Sequence, residues 1–249
     1  MSKSCLVAKL SHFITLSADE AAFLAEVEGK VATFGRRETV ISRGEVMPDI
    51  FVVRSGWLVA HTSDADGVDF VTEICPPGDV VGVSQIGCRT SKVTYRAATP
   101  VELCPFPKTE MRTVFRRYPR LAALFFGFVA LERATMIDRL RSVGQASARD
   151  CVALFLLQIR ARLKIVGEVD EQETFALPLS QELIGSAVGL STVSVNRALR
   201  QPELDGHLKR DGRDFRLLQP SALARDLEFE DEDYGFDGGW LPEIVDVAA

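Results

Sequence analysis

The chain of 249 residues contains no uninterrupted run of about 18 apolar residues, the length that a membrane-spanning helix needs. Its N-terminus also lacks the long apolar segment and the small-residue cleavage site of a secretory signal. We therefore expect a cytoplasmic protein with no membrane partner. With 47% hydrophobic residues, the chain can supply cores for two compact domains.

Residues that carry metal and catalytic chemistry are also scarce. There are three histidines without HxxxH spacing, and the five cysteines, at positions 5, 75, 88, 104 and 151, never form CxxC. A metal or iron-sulfur site needs about four such ligands together, so we expect reduced thiols, no metal and no cofactor. His61 as a haem ligand is the alternative, although an isolated histidine is more often structural. No catalytic triad or phosphate loop is visible, so we expect no enzyme.

Positive charge is in deficit, with a formal net charge of -6. From Asp226 onward, however, there are nine acidic residues and no Lys or Arg, and removing these nine charges from -6 leaves +3 for residues 1–225. The body of the protein is therefore mildly basic, and the charge does not exclude a nucleic-acid partner. We expect the acidic tail, 226–249, to be mobile, although its aromatic and aliphatic residues could dock elsewhere.

The N-terminal half has the pattern of an antiparallel barrel or jelly roll. Residues 17–29 predict a helix, with Ser17 and Glu20 in capping-box spacing. Short β-rich stretches then follow at intervals near ten residues, separated by Gly, Pro and Asp. These stretches are VATF, DIFVV, GWLVAHT, DFVTEI, DVVGV, KVTYRAAT and VELCPF.

A long helix is predicted from Pro119 to Val143, because apolar residues recur there at three- and four-residue spacing. Such a stripe fits either a coiled coil with a second copy or a helix packed within one chain, and the pattern does not decide between them. Gly144 is expected to interrupt the helix. Ser147 would then cap another helix over 149–163, followed by an acidic loop at 166–176.

Residues 178–201, PLSQELIGSAVGLSTVSVNRALRQ, predict two short helices with a tight turn between them. Ser180 would cap the first, Gly189 would end it, and Ser191 would cap the second. Regular apolar positions would pack the two helices at an angle. This is the pattern of a helix-turn-helix, although ordinary helical hairpins share the spacing.

A basic hairpin follows, in which Asp211-Gly212 is the predicted turn. Four Lys or Arg residues fall within eight positions here, Lys209, Arg210, Arg213 and Arg216. The hairpin could simply cover the core and expose a solvated charged face. A DNA-contacting wing explains the basic residues better, so we prefer a winged helix-turn-helix.

These motifs together resemble the Crp/Fnr regulators. LSQELIGSAVGLSTVSVNRAL and the basic hairpin are similar to their DNA-binding domain, and SRGEVMPDIFVVRSGWLVAHTSDADGVDFVTEICPPGDVVG resembles their sensory β-roll. The resemblance covers roughly residues 10–223 in the family's order. It implies an α+β fold with an N-terminal antiparallel β-roll (jelly roll), a long dimerisation helix and a C-terminal winged helix-turn-helix. The corresponding segments are 1–115, 116–144 and 145–225, before the tail.

The resemblance also implies a homodimer whose two recognition helices read a palindromic DNA site. The exposed residues of that helix would be Thr192, Val193, Ser194, Asn196 and Arg197. Arg197 is the candidate for a bidentate contact to guanine, and Asn196 could pair with adenine. Many members carry Glu at the position of Val193, which can only touch a thymine methyl group or pack internally. The operator should therefore differ from the familiar family consensus.

Contacts to phosphate are expected at two places. Ser180, Gln181 and Ser191 lie at predicted helix N-termini, where backbone N–H groups favour anions. Lys209 and Arg210 of the wing would add contacts that carry no sequence information.

The sensory domain departs from members that bind cyclic nucleotides. The acidic residue that binds ribose and the Arg-Ser pair that binds the cyclic phosphate are both missing here. Each loss would cost about 1.5 to 3 kcal/mol of binding, so we expect a more apolar pocket with little response to cyclic AMP. The candidate effector positions are Gly82, Val83, Ser91, Lys92, Met136 and Ile137.

The expected partners are double-stranded DNA, a second copy of the chain, RNA polymerase and an unidentified small-molecule effector. One alternative is a dimeric regulator that needs no effector. Another is a protein-interaction module that has lost DNA binding, with the acidic tail as its contact surface. The tail could also fold onto the basic wing and compete with DNA.

Overall fold

The computed structural model describes residues 4–63, 69–145, 147–204, 206–230 and 239–242. The helices are α1 (Cys5–Leu10), α2 (Ala18–Val27), α3 (Met111–Arg117), α4 (Pro119–Gln145), α5 (Ala148–Ile165), α6 (Gln181–Val188), α7 (Thr192–Leu204) and α8 (Pro220–Asp226). The strands are β1 (Ala32–Phe34), β2 (Thr39–Ile41), β3 (Asp49–Ser55), β4 (Leu58–Ser63), β5 (Asp69–Cys75), β6 (Val80–Val81), β7 (Thr94–Ala97), β8 (Val101–Pro107), β9 (Thr174–Ala176), β10 (Leu208–Asp211) and β11 (Asp214–Leu217).

Strands β1 to β8 form the predicted β-roll. One sheet has the order β1-β8-β3-β6 and the other β2-β7-β4-β5, and the pairings are antiparallel. Alternate side chains of both sheets meet in one core that includes Val53, Leu58 and Leu103. The stretch predicted as a strand at 79–83 is shorter than expected. Gly82, with φ of 83°, ends β6 and begins a 3₁₀ turn at Val83–Gln85.

The N-terminal helices pack on one end of the roll. The capping box of α2 is confirmed, because Ser17 Oγ accepts from the Glu20 amide at 3.2 Å and the Glu20 carboxylate accepts from the Ser17 amide at 2.8 Å. Helix α1 is not evident in the sequence pattern. The Glu28 carboxylate accepts from the backbone amides of Cys5 and Leu6 at 3.0 and 3.2 Å, and so caps α1 from a distant part of the chain.

The expectation of five reduced thiols is wrong for one pair. Cys5 of α1 and Cys104 of β8 form a disulfide with a Cα–Cα distance of 6.2 Å, within the usual range. Cys75, Cys88 and Cys151 lie outside any disulfide. The partners are 99 residues apart, so local spacing could not reveal the pair. A Glu28 carboxylate oxygen lies within 4.8 Å of both sulfurs, but sulfurs bonded to each other are not free thiolate ligands for a metal.

The interpretation of the long helix as packed within one chain holds for its first half, and the coiled-coil interpretation stays a prediction. The first half packs within the chain, where Leu121, Leu124 and Phe125 are buried beside α1, α2 and β8. The second half leaves Ile137 and Leu140 more than half exposed. The helix is not interrupted at Gly144, since α4 continues to Gln145.

The C-terminal domain is built around α5, whose predicted cap is confirmed, as Ser147 Oγ accepts from the Asp150 amide at 3.2 Å. Two corrections to the prediction apply here. The acidic loop at 166–176 ends in β9, which pairs with β11. The hairpin turn is Gly212-Arg213, because Asp211 already pairs with Asp214. Gly212, with φ of 61°, takes the first loop position, where a turn with a single positive φ needs glycine.

The tail lies largely outside the described residues, so its predicted mobility and its contact with the wing stay predictions. Two described parts of it are packed. Phe229 is buried in the C-terminal core just after α8, and Leu241 lies against the core that α1 and α4 share. No helix in the described ranges is long and apolar enough to cross a membrane.

The two domains share an extensive junction. Trp57 and Ile74 of the β-roll belong to the same apolar cluster as the side chains of α5 and α6. The Val71 amide of β5 donates to Ser186 Oγ of α6 at 2.9 Å. Arg162 of α5 forms an ion pair with Asp79 in the turn before β6. The first helix of the helix-turn-helix is therefore docked directly on the sensory domain.

Candidate functional site

Helices α6 and α7 form the predicted helix-turn-helix. Ser180 Oγ accepts from the Leu183 amide at 3.2 Å, and Ser191 Oγ accepts from the Ser194 amide at 3.1 Å, so both predicted N-caps are confirmed. Gly189 ends α6 with φ of 73°, as predicted. The turn between the helices is held in place by these local interactions.

A glycine allows α6 and the turn to approach each other closely. A Cβ atom at Gly185 would lie 2.5 Å from the Leu190 carbonyl oxygen and 3.3 Å from Val195 Cγ2. Any larger residue here would push the turn away from α6. The angle at which α7 projects therefore depends on this small residue.

The face of α7 that points away from the core carries the predicted contact residues. Thr192, Val193 and Arg197 are exposed, and Ser194 and Asn196 are half-buried. The opposite face, Val195, Ala198 and Leu199, is buried against the core. Val193 is 79% exposed, so it does not pack internally.

The expected phosphate-contacting residues surround this face. Ser180 and Ser191 are exposed and Gln181 is half-buried at the starts of α6 and α7. The Ser180 and Ser191 hydroxyls already cap their helices, which leaves other first-turn N–H groups as anion donors. In the wing, Lys209 is exposed, while the Arg210 guanidinium lies 6.0 Å from the centre of the Phe215 ring. The elements that carry these groups, α6 and β10, both contact α7.

A cavity of about 360 Å³ lies at the domain junction. It is lined by four parts of the chain: the segment after α1, the β-roll, the middle of α4 and the end of α5. Most of its walls are apolar. They include Phe13, Val80, Val93, Phe128, Leu131, Met136, Ile165 and Val166. A cavity of this size and lining is typical of small-molecule sites.

Three carboxyl groups line this cavity. Asp79 forms an ion pair with Arg162, and the other two are Glu73 of β5 and Glu132 of α4. Burial raises the pKa of Glu73, although the positive charges of Arg162 and Arg139 partly offset this. Burial, together with the charge of Glu73, raises the pKa of Glu132 to about 7, against the hydrogen bond from Ser84. The cavity therefore contains a carboxyl group that changes its charge near neutral pH.

Comparison with known proteins agrees with both halves of this structure. Residues 31–118 match the family described as cyclic nucleotide-binding domain, and residues 152–226 match the Crp-like helix-turn-helix domain. The chain is a Crp/Fnr family regulator. It combines a DNA-binding helix-turn-helix with a sensory domain of the cyclic nucleotide-binding type.

Similar Crp/Fnr proteins are transcription regulators. The chain is 24% identical over 222 residues to the transcriptional activator protein FnrA of Stutzerimonas stutzeri, covering 89% of this chain and 90% of that one. It is 27% identical over 209 residues to the nitrogen fixation regulation protein FixK of Bradyrhizobium diazoefficiens, covering 83% and 86%. The solved structure of FixK2 from Bradyrhizobium japonicum has the same fold, with a TM-score of 0.70 at 22% identity, covering 79% of this chain and 96% of that one.

The six effector positions expected from the Crp/Fnr resemblance do not all lie at the cavity. Lys92 and Met136 line it. Gly82 and Val83 are buried in the roll, Ser91 is buried and donates to the Val93 carbonyl at 2.7 Å, and Ile137 is exposed on α4. His61, the alternative cofactor ligand, is buried in β4.

Sequence reasoning missed the charged lining of this Crp/Fnr cavity. The one local signal is the carboxylate of Glu73, which directly precedes the apolar residues Ile74 and Cys75 at the end of β5. Glu132 lies on the predicted long helix, where a single charged residue beside an apolar stripe does not indicate a cavity. Arg162 was one charge among several on α5. Only the docking of α5 on the β-roll brings these residues together.

Proposed function

We propose that this Crp/Fnr regulator binds a palindromic DNA site as a homodimer and places the exposed face of α7 in the major groove. The observation that supports this most strongly is the solvent-facing first half of α7, with the basic wing beside it. Arg197 would contact guanine through two hydrogen bonds, and Asn196 would pair with adenine. Val193, exposed and apolar, would contact a thymine methyl group.

The remaining polar residues would hold the DNA backbone. Thr192 and Ser194 lie beside the base-reading residues at the start of α7. The N-terminal groups Ser180, Gln181 and Ser191 would contact phosphates together with backbone N–H groups. Lys209 and Arg210 of the wing would contact phosphate on the flank of the site.

Fluorescence anisotropy with labelled genomic fragments tests this proposal. Arg197→Ala should weaken binding to a selected fragment by about 1 to 3 kcal/mol and relax the preference at one base pair. Lys209→Ala should weaken binding to all fragments similarly and reduce the salt dependence. Arg225→Ala, an exposed arginine on α8, is the matched control and should change neither. The absence of any salt-sensitive, fragment-selective complex would refute DNA binding.

The exposed face of α4 would form the dimer interface. Phe126, Ile137 and Leu140 are 68%, 53% and 70% exposed. Phe126 and Ile137 are about three helical turns apart on one face, and Leu140 is about one further turn along. A second copy of the same helix is the occupant that buries such a face symmetrically, as in other coiled coils.

Light scattering after size-exclusion chromatography tests the dimer. Leu140→Glu should shift the mass from dimer to monomer, since the two copies would bring unpaired carboxylates together. Val46→Glu changes an equally prominent exposed apolar residue on the β-roll and should leave the dimer intact. A monomeric wild-type protein would refute the interface.

We also propose that the junction cavity binds the effector. Its walls come from the sensory domain, α4 and α5, so a ligand there would act on the packing of the DNA-binding domain directly. Because the family's ribose and phosphate anchors are missing, cyclic AMP should not change DNA affinity. Clear stimulation by cyclic AMP in the anisotropy assay would contradict this.

Two other functions are separated by the same measurements. An effector-independent regulator would bind DNA with the cavity unused, whereas a protein-interaction module would not bind DNA at all. In the favoured case the dimer acts in the cytoplasm, and RNA polymerase is the candidate protein partner of the DNA-bound form. If the acidic tail competes with DNA, deletion of 226–249 should tighten DNA binding, and unchanged affinity would exclude that competition.

A further inference from the structure

The charged side chains of the junction cavity differ in the hydrogen-bonding or oppositely charged protein partners that they already have. The arginines are held by the β-roll. Arg162 forms an ion pair with Asp79 and donates from Nη2 to the Ile74 carbonyl at 2.9 Å, and Arg139 donates from Nη1 to the Thr72 carbonyl at 3.0 Å. These bonds anchor α4 and α5 to β5. The arginines therefore have structural partners before any ligand enters.

Glu132 is in a different position. Its carboxylate accepts a hydrogen bond from Ser84 Oγ at 2.8 Å, and none of the ion pairs among the described residues includes it. The charge that acts on it is that of another carboxyl group, Glu73. A half-buried carboxylate next to a second one is unstable unless a proton or a cation neutralises it.

The rest of the cavity suits an uncharged, apolar body. Phe128, Leu131 and Met136 of α4 line one side, and Ile165 and Val166 of α5 line another. A volume of about 360 Å³ accommodates a small molecule rather than a peptide. An occupant that fits both features has an apolar group and one cationic head.

We propose that the effector of this protein is a small organic amine, whose ammonium group binds Glu132 and whose apolar part fills the cavity between α4 and α5. This inference rests on the proposed role of the cavity as the effector site. The amine would replace the proton that otherwise neutralises Glu132. An anionic ligand, such as a nucleotide, would meet the carboxyl groups of Glu73 and Glu132 at this end of the cavity.

Binding of the amine should depend on pH, because it competes with the proton on Glu132. With a pKa of about 7, about one tenth of this carboxyl group is ionised near pH 6 and about nine tenths near pH 8. The affinity should therefore rise about tenfold between these values. The other titratable or charged groups around Glu132 are Glu73, Asp79, Lys92, Arg139 and Arg162.

Isothermal titration of the full-length protein with three probes of the same shape tests the proposal. Phenethylamine is cationic, hydrocinnamate is anionic and phenethyl alcohol is neutral. Near pH 8 phenethylamine should bind at least about tenfold more tightly than the other two. Glu132→Gln should remove this preference, while Glu26→Gln, which changes an exposed carboxyl group on α2, should preserve it.

Three results would overturn the amine assignment: equal or tighter binding of hydrocinnamate, no millimolar binding of phenethylamine, or an unchanged preference in Glu132→Gln. DNA binding is measured on the same preparations. If DNA binding persists and only hydrocinnamate or phenethyl alcohol binds, the cavity remains the effector site and the ligand class is wrong. If DNA binding itself is absent, the proposed function fails instead.

Discussion

Gly78 offers a test of how the two domains are packed. It lies in the turn before β6 with φ of 96°, and a Cβ atom built there would overlap Val166 Cγ1 and lie 3.2 Å from the other methyl carbon and from Cβ of that valine. Val166 is a buried residue of the C-terminal domain. Gly78→Ala would therefore push a methyl group directly into the domain junction.

The cost has two parts that can be separated. An alanine in this left-handed conformation costs about 1 to 2 kcal/mol, and overpacking against a stiff valine costs about 1 to 3 kcal/mol more. Gly44 is the matched control, because its φ is 87° and nothing lies within 4 Å of the added Cβ. We expect Gly78→Ala to destabilise the protein by about 2 to 5 kcal/mol and Gly44→Ala by only about 1 to 2 kcal/mol.

The measurement is urea unfolding of the wild type, both glycine variants, Val166→Ala and the double variant. Removing the valine methyl groups should relieve the overlap, so Gly78→Ala should cost about 1 to 3 kcal/mol less in the Val166→Ala background. If Gly78→Ala and Gly44→Ala cost the same, or if the Gly78 and Val166 changes are additive, the described packing of the domains is wrong.

Three further predictions concern single bonds and charges. Cys5→Ser should lower the free energy of unfolding under non-reducing conditions by about 2 to 5 kcal/mol, because the disulfide closes a long loop. Cys88→Ser should leave that free energy unchanged, and equal effects of the two variants would contradict the disulfide. The pKa of Glu132 is raised to about 7 in the folded protein, so the fold binds the extra proton and loses stability as the pH rises from about 4.5 through 7. Glu132→Gln should reduce that loss and give a higher urea midpoint than the wild type near pH 8 but not near pH 5, and parallel pH profiles would contradict it. The hydrogen bond from Arg160 at 2.6 Å lowers the pKa of Glu173, so the stabilisation that this pair gives the fold is present above about pH 4.5 and lost at lower pH. Glu173→Gln should therefore lower the free energy of unfolding by about 1.5 to 3 kcal/mol near pH 7 and by much less near pH 3. A cost independent of pH would refute the pairing.

The elements that the sequence predicts well are those fixed by neighbouring residues. The caps at Ser17, Ser180 and Ser191 act within three positions along the chain, and each was predicted to the residue. The hairpin of the wing was predicted, but its turn was placed one residue early. The Asp-Gly signal identifies a turn, whereas the pairing of Asp211 with Asp214 sets its register.

The features that were missed depend on contacts between distant residues. Helix α1 is capped by Glu28, and the disulfide joins Cys5 to a strand 99 residues later. Strand β9 exists because β11 lies beside it. The cavity is the clearest example, since Glu73 of β5, Glu132 of α4 and Arg162 of α5 line it together only when the domains dock. A local pattern carries no signal for such an arrangement.

The central claim, that α7 reads a palindromic DNA site in a homodimer, is tested most directly by selecting binding sites from random double-stranded DNA with the purified protein. The expected result is an inverted repeat whose half-sites are about one helical turn of DNA apart, with a guanine whose selection disappears in Arg197→Ala. A single half-site, or the same base preferences in the wild type and Arg197→Ala, would contradict this account.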